Sequence, residues 1–138
     1  MAQPRKTRWG FLSTAEIGNK VITAIQRSGT AEVVAVASRV LEKAQKFATR
    51  HNIPVAYGSY DDLLEDKSIE CVYIPLPSGL KREWAIKAAE HGKHVLVEKP
   101  FCSEADVQAM NAACERCGVL FMDGTMWVHH KRADLVEI

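Results

Sequence analysis

No stretch of this sequence approaches the roughly 20 consecutive apolar residues that a membrane-crossing helix needs, so a bilayer-spanning role is not expected. Excess charge of one sign is also lacking. The 138 residues hold 18 Lys and Arg against 17 Asp and Glu, a formal net charge of +1. That balance leaves no electrostatic footprint for nucleic acid or for an acidic membrane surface as partner. The basic N-terminus, Met1 to Arg8, lacks the apolar core of a signal peptide, so residues 1–6 read as a solvated lead-in and the location expected is cytoplasmic. Cysteine is sparse. Cys71, Cys102, Cys114 and Cys117 include one C-x-x-C spacing, Cys114 to Cys117, near the end of a predicted helix and with no second pair to complete a zinc site. Reduced packing thiols are the expectation, with no metal site.

What is present is an alternation of short apolar runs with helical stripes. Arg8–Ser13, Glu32–Ala37, Val55–Tyr57, Glu70–Ile74, His94–Val97 and Val119–Met122 have the length and β-branched content of buried strands. Between them, Ile17, Val21, Ala24 and Ile25 recur at helical intervals before Gly29, and Leu41, Ala44, Phe47 and Ala48 do so before Asn52. A short helix is predicted around Tyr60–Leu64 and a longer one over Lys81–His91, stopped by Gly92. Ser103 with Asp106 has the pattern of an N-cap that opens a helix through about Cys117. Strands alternating with helices of this length predict an α/β fold, a doubly wound parallel sheet occupying residues 7–124 as one domain. Residues 125–138 break the alternation and read as the truncated start of a linker to a further domain.

In such a fold the first strand-to-helix turn receives the pyrophosphate of a dinucleotide. Here that turn is Ser13-Thr14-Ala15-Glu16-Ile17-Gly18. The G-x-G-x-x-G pattern would place glycines at 13, 15 and 18, and only Gly18 is present, with small residues at the other two positions. A small-residue turn also serves as a plain tight connection. Its place directly after the first strand and before a periodic helix favours the phosphate reading. At the end of the second strand, where an acidic residue would hold the ribose diol of NAD, stand Ser38 and Arg39, with Lys43 one turn on. An arginine can pair bidentately with a 2′-phosphate and stack on adenine, and the Ser38 hydroxyl can add a hydrogen bond. No carboxylate competes there. NADP is therefore expected in preference to NAD.

Val72-Tyr73-Ile74-Pro75-Leu76-Pro77, then Glu83 to Ala89, then Gly92-Lys93-His94-Val95-Leu96-Val97-Glu98-Lys99-Pro100, together resemble the glucose–fructose oxidoreductase and inositol dehydrogenase (Gfo/Idh/MocA) family, whose hallmark is the Glu-Lys-Pro tripeptide. Ala56 to Tyr60 and Val36 to Arg39 are similar to its dihydrodiol and D-xylose dehydrogenase branch. The resemblance spans about residues 7 to 132. It implies a Rossmann NAD(P)-binding domain, with Lys99 as the catalytic lysine that handles the proton of the reacting hydroxyl. Such a lysine is expected to have its pKa lowered by partial burial and by the adjacent nicotinamide cation. Glu98 would orient Lys99 or contact the nicotinamide ribose, and Pro75, Leu76 and Pro77 would lie along the cofactor. Two departures stand out. The histidine common after the proline loop is replaced by Lys81, following Ser78, and two glycines of the phosphate turn are missing.

The resemblance further implies a second domain that carries substrate contacts and usually the homo-oligomer interface, and no sequence for it follows here. Met126 to His130 resemble the segment crossing toward it, so His129 or His130 could face the cleft; both are also compatible with exposed polar positions. The expected function is an NADP-dependent oxidoreductase acting on a CH–OH group of a polyol, sugar or trans-dihydrodiol, with this sequence as its nucleotide-binding half. The alternatives are a dinucleotide-binding module without turnover and an NADP-sensing regulator. Turnover by the chain alone is not expected, because substrate positioning contributes much of the rate acceleration.

Overall fold

The β-branched run Ala31–Ala37 is buried from Val33 onward, as a strand covered on both faces must be, and it sits inside a six-stranded all-parallel sheet. The computed structural model describes residues 2–135, the side chain of Trp127 excepted; residues 136–138, the end of the expected linker segment, lie outside the described residues. The strands are β1 (Thr7–Leu12), β2 (Ala31–Ala37), β3 (Val55–Tyr57), β4 (Cys71–Ile74), β5 (His94–Val97) and β6 (Phe121–Asp123). The helices are α1 (Ile17–Ser28), α2 (Leu41–His51), α3 (Tyr60–Glu65), α4 (Ser78–Glu90) and α5 (Glu104–Cys117). Two 3-10 turns, Met126–His129 and Lys131–Leu135, follow β6.

Local chemistry sets the helix ends. Ser59 and Ser103 each accept a hydrogen bond from the backbone N–H three residues on, at 3.1 Å, so α3 and α5 are N-capped. Gly29 and Gly118 take the left-handed conformation that closes α1 and α5, and Asn52 does the same for α2. The strand order β3-β2-β1-β4-β5-β6 reverses direction between β1 and β4. In doubly wound folds ligands bind at the carboxyl ends of the strands beside that reversal.

Each face of the sheet has its own core. One packs Leu63 and Leu64 of α3, Ala85, Ala88 and Ala89 of α4, and Met110 and Cys114 of α5 against Leu12, Val72, Ile74, Val95 and Val97. The other packs Ile22 of α1 and Phe47 and Ala48 of α2 against Phe11, Val36 and Tyr73. On that second face the strand register aligns Val36, Phe11, Tyr73, Leu96 and Met122 in one row across five strands. Burial fades along the row. Val36, Phe11 and Tyr73 are inaccessible, Leu96 is half-buried, and Met122 is 49% exposed. Where α1 ends its cover of the sheet, a cleft opens.

The elements follow the sequence expectation with small shifts. The helix expected from Lys81 begins at Ser78, directly after the extended Pro77. The strand expected from Val119 begins at Phe121, because the N–H of Val119 still bonds the Cys114 carbonyl at the end of α5. Cys71 and Cys114 are buried, and Cys117 is half-buried beside the core.

Candidate functional site

The cleft, about 610 Å³, lies at the carboxyl ends of β4, β5 and β6 and is walled on one side by Ile17, Val21, Ala24 and Ile25 of α1. Its floor is Tyr73 and Leu96, and its rim carries Pro75, Leu76, Glu98 and Lys99. Among the described residues no helix is long and apolar enough to cross a membrane.

Glu98 is held in this cleft from two sides. The Tyr73 hydroxyl donates to Glu98 Oε2 at 2.7 Å, from a phenol with no solvent access. Burial, and then the Glu98 carboxylate, push the Tyr73 pKa well above the usual phenol range, so the proton stays on oxygen and the donor role is permanent. Gly124 closes in from the other side. A Cβ there would stand 2.9 Å from both carboxylate oxygens, so only glycine leaves Glu98 its position. The strand ladder holds Gly124 in turn, its N–H donating to the Val97 carbonyl at 2.8 Å.

Lys99 is exposed on the rim rather than partly buried as expected. Its chain neighbour Pro100 offers a carbonyl that accepts from Ser78 Oγ at 3.0 Å and from Lys81 Nζ at 2.7 Å. The first turn of α4 thereby ties down the segment that bears Glu98 and Lys99. Lys81 is 3% exposed, and burial lowers its pKa, with Glu98 acting in the opposite direction.

The phosphate turn is strained. Ser13, at the first glycine position of the fingerprint, adopts φ 135°, a region in which a side chain is costly, and its Oγ accepts from the Ala15 N–H at 3.0 Å. Gly18 N–H bonds the Ala15 carbonyl and Asn19 N–H the Glu16 carbonyl, so Thr14, Ala15 and Glu16 form the tight entry into α1. Gly18 packs a helix closely onto the sheet, with Phe11 and Phe47 at ordinary contact distance from its missing Cβ.

Of the residues singled out from sequence, Ile17, Pro75, Leu76, Glu98 and Lys99 line the cleft, and His129 joins them there. Ser13 to Glu16 lie at its α1 end without lining it, and Pro77 is exposed at the start of α4. Ser38, Arg39 and Lys43 sit apart, at the end of β2 and in the loop and first turn that follow. The buried Ser38 Oγ accepts from Val40 N–H at 3.2 Å, which leaves its own proton free to donate. Arg39 and Lys43 are exposed. Burial raises the Tyr60 pKa, and the charge of Arg39 acts in the opposite direction. His130 Nδ1 accepts from the Arg132 N–H in the second 3-10 turn. Tyr73 and Gly124 escaped the sequence reading as site residues. Their contacts with Glu98 cross 25 and 26 positions and exist only once β4, β5 and β6 pair.

The sequence profile of the Gfo/Idh/MocA family, an oxidoreductase family with an NAD-binding Rossmann fold, matches residues 7–125. The chain belongs to this family. Its Gfo/Idh/MocA relatives include the D-xylose 1-dehydrogenase (NADP(+)) 2 of Haloferax volcanii, 47% identical over 88% of this chain and 38% of the relative. The trans-1,2-dihydrobenzene-1,2-diol dehydrogenase of Xenopus laevis is 39% identical over 85% of the chain and 36% of the relative. Among solved structures, the 3-ketoreductase KijD10 from Actinomadura kijaniata in complex with NADP superposes with a TM-score of 0.86 at 33% identity, over 95% of this chain and 42% of that one. The chain thus spans about two-fifths of the length of the relatives it matches. The family resemblance and the doubly wound α/β fold read from the sequence are both borne out.

Proposed function

We propose that this chain binds NADP, in preference to NAD, as the cofactor half of an oxidoreductase that interconverts a carbinol and a carbonyl on a sugar, polyol or trans-dihydrodiol. The observation that carries the reading is the pairing of Glu98 and Lys99 on one cleft at the strand-order reversal, with Arg39 and no carboxylate at the end of β2. The donor set fits the cofactor. The strained turn at Ser13 presents the amino end of α1 to a pyrophosphate, and Arg39, Lys43 and the free Ser38 proton suit a 2′-phosphate. The relatives' names agree, since one is an NADP(+) dehydrogenase and a superposed structure holds NADP.

In this reading Pro75 and Leu76 give the nicotinamide an apolar wall, and the bound cofactor supplies hydride transfer. Glu98, fixed by Tyr73, accepts from ribose hydroxyls or orients Lys99. The Lys99 ammonium donates to the substrate oxygen, holding a developing alkoxide or passing a proton to it. Residues 7–124 form the proposed cofactor domain, and residues 125–138 begin the connection to a substrate domain. The proposed location is the cytoplasm, and association of copies is expected of the whole protein.

Calorimetric titration of the chain with NADPH and NADH tests the cofactor. Binding of NADPH, tighter than NADH, is expected. Arg39→Asp should weaken NADPH by about tenfold or more, the scale of a lost charge-assisted pair, and NADH far less. Equal losses would remove the 2′-phosphate role, and no binding of either nucleotide would remove the reading. Incubation with D-xylose or a trans-dihydrodiol and NADP, read as NADPH formation, tests turnover.

A further inference from the structure

Two lysines of this chain are equally buried, at 3% exposure, and they are used differently. Lys93 spends two ammonium protons on the Asp66 and Ile69 carbonyls, at 2.6 and 2.8 Å, away from the cleft. It is a clamp between two loops. Lys81 gives one proton to the Pro100 carbonyl at 2.7 Å and lines the cleft with Glu98 and Lys99. An ammonium has three donors. The Phe101 ring, 5.8 Å from Nζ, is only a weak cation–π partner. Holding Pro100 does not by itself call for a cation here, because Ser78 already reaches the same carbonyl with a neutral hydroxyl.

The charges on the cleft lining show what the cation changes. Lys20, Lys81 and Lys99 face Glu98 and Asp123, and His129 adds charge only when protonated. The Asp123 carboxylate accepts from the Thr125 N–H at 2.8 Å and is exposed, as are Lys20 and Lys99, so water screens all three. The two charges on the lining least screened by water are therefore Glu98 and Lys81. Oxidised nicotinamide is a cation and reduced nicotinamide is neutral. A carboxylate at the nicotinamide end favours the oxidised form, and a buried ammonium beside it cancels that preference.

We propose that Lys81 sets the oxidation-state preference of the cofactor site, its buried ammonium offsetting Glu98 so that the cleft lacks the preference for NADP+ that the carboxylate alone would give it. The proposal rests on the reading above that the cleft holds the nicotinamide end of NADP. It assigns a function to the position at which the sequence has lysine in place of the family's common histidine.

The experiment is calorimetric measurement of both dissociation constants, for NADP+ and NADPH, on the whole chain and its variants at pH 8. For the unaltered chain similar Kd values for the two forms are expected, and a strong preference for NADP+ would show Glu98 uncompensated and overturn the proposal. Lys81→Met should shift the ratio Kd(NADP+)/Kd(NADPH) toward NADP+ by roughly three- to tenfold, the effect of removing one charge several ångströms away at intermediate dielectric. Lys81→His, neutral at that pH, should shift it the same way. Lys81→Arg, which keeps the charge, should leave the ratio near its original value and serves as the folding control. A ratio unchanged in Lys81→Met and Lys81→His, whether both affinities hold or both fall together, overturns the proposal and makes Lys81 a structural clamp like Lys93. A ratio shifted equally by Lys81→Arg also overturns it, because shape rather than charge would then be responsible. If the unaltered chain binds neither nucleotide, the cofactor reading falls and this inference with it; if it binds both and the variants keep its ratio, only this inference falls.

Discussion

Single residues decide how well Glu98 is held, and the two that hold it act by different physics. Tyr73 contributes a hydrogen bond to a charged acceptor from a fully buried ring, whereas Gly124 contributes only the space that a methyl group would take. Tyr73→Phe should therefore cost stability, about 1.5 to 3 kcal/mol for a bond to a charged group, and also weaken NADPH binding several-fold. Gly124→Ala breaks the same bond indirectly. Its methyl group would push the carboxylate off the Tyr73 hydroxyl and leave that buried donor unpaired, so it should weaken NADPH binding comparably and lower the urea midpoint at least as much as Tyr73→Phe, which leaves no donor behind. Denaturation curves and NADPH titrations on the two variants measure both effects. Full NADPH affinity in both would mean that the position of Glu98 does not matter to the cofactor. Of this arrangement, Glu98 and Lys99 were legible in the sequence because the tripeptide is local. Tyr73 looked like one more apolar strand residue, and Gly124 like a turn. Lys81 was visible as a departure, but its burial was not, since the carbonyl it reaches lies 19 positions away across the α4 to β5 connection.

At the level of elements, caps and apolar runs carried most of the information. Ser103 and Gly118 bracket α5 as their types demand, and the buried run of β2 announces a strand covered on both faces. The boundaries that slipped did so for backbone reasons. The first turn of α4 is Ser78-Gly79-Leu80, poor in helix propensity, and it forms because it follows Pro77, whose carbonyl accepts the Leu80 N–H. Gly10 has a reason that no local pattern reveals. It lies in β1 outside any glycine motif, yet a Cβ there would come within 2.8 Å of Leu63 Cδ2 and 3.2 Å of Ile69, both buried. Helix α3 can approach β1 only because that Cβ is missing. Gly10→Ala should lower the unfolding free energy by about 1 to 3 kcal/mol, the usual cost of overpacking a core, with the urea m-value unchanged. Leu63→Ala in the same background should cost less than it does alone, because the new methyl group then has room. Additive losses would place the strain elsewhere.

For the whole molecule, the titratable groups buried with the sheet make stability depend on pH at the alkaline end. Cys71 and Tyr73 alternate with the core residues Val72 and Ile74 along β4. Burial, and then the neighbouring Glu70 charge, push the Cys71 thiol from 9.0 up to about 11, and burial and Glu98 raise Tyr73 as well. Both groups are acids with raised pKa values, so the folded state keeps a proton that the unfolded chain gives up. The stabilisation is complete below about pH 9 and is lost as the pH rises through about 11. Lys81 and Lys93 work in the opposite direction. Their pKa values are lowered, chiefly by burial, so the unfolded chain holds more protons than the folded one just below 10.5, and stability gains there as the pH rises. The net slope mixes these effects, and a substitution resolves them. Cys71→Ala removes the thiol and leaves the lysines in place. Between pH 8 and pH 11 its unfolding free energy should fall by about 2 kcal/mol less than that of the unaltered chain, as a two-unit shift at that site requires. Urea denaturation at the two pH values measures the difference directly. Parallel declines in the two proteins would show that Cys71 titrates alike in the folded and unfolded chain, and would return the alkaline loss to Tyr73, where Tyr73→Phe should then abolish it.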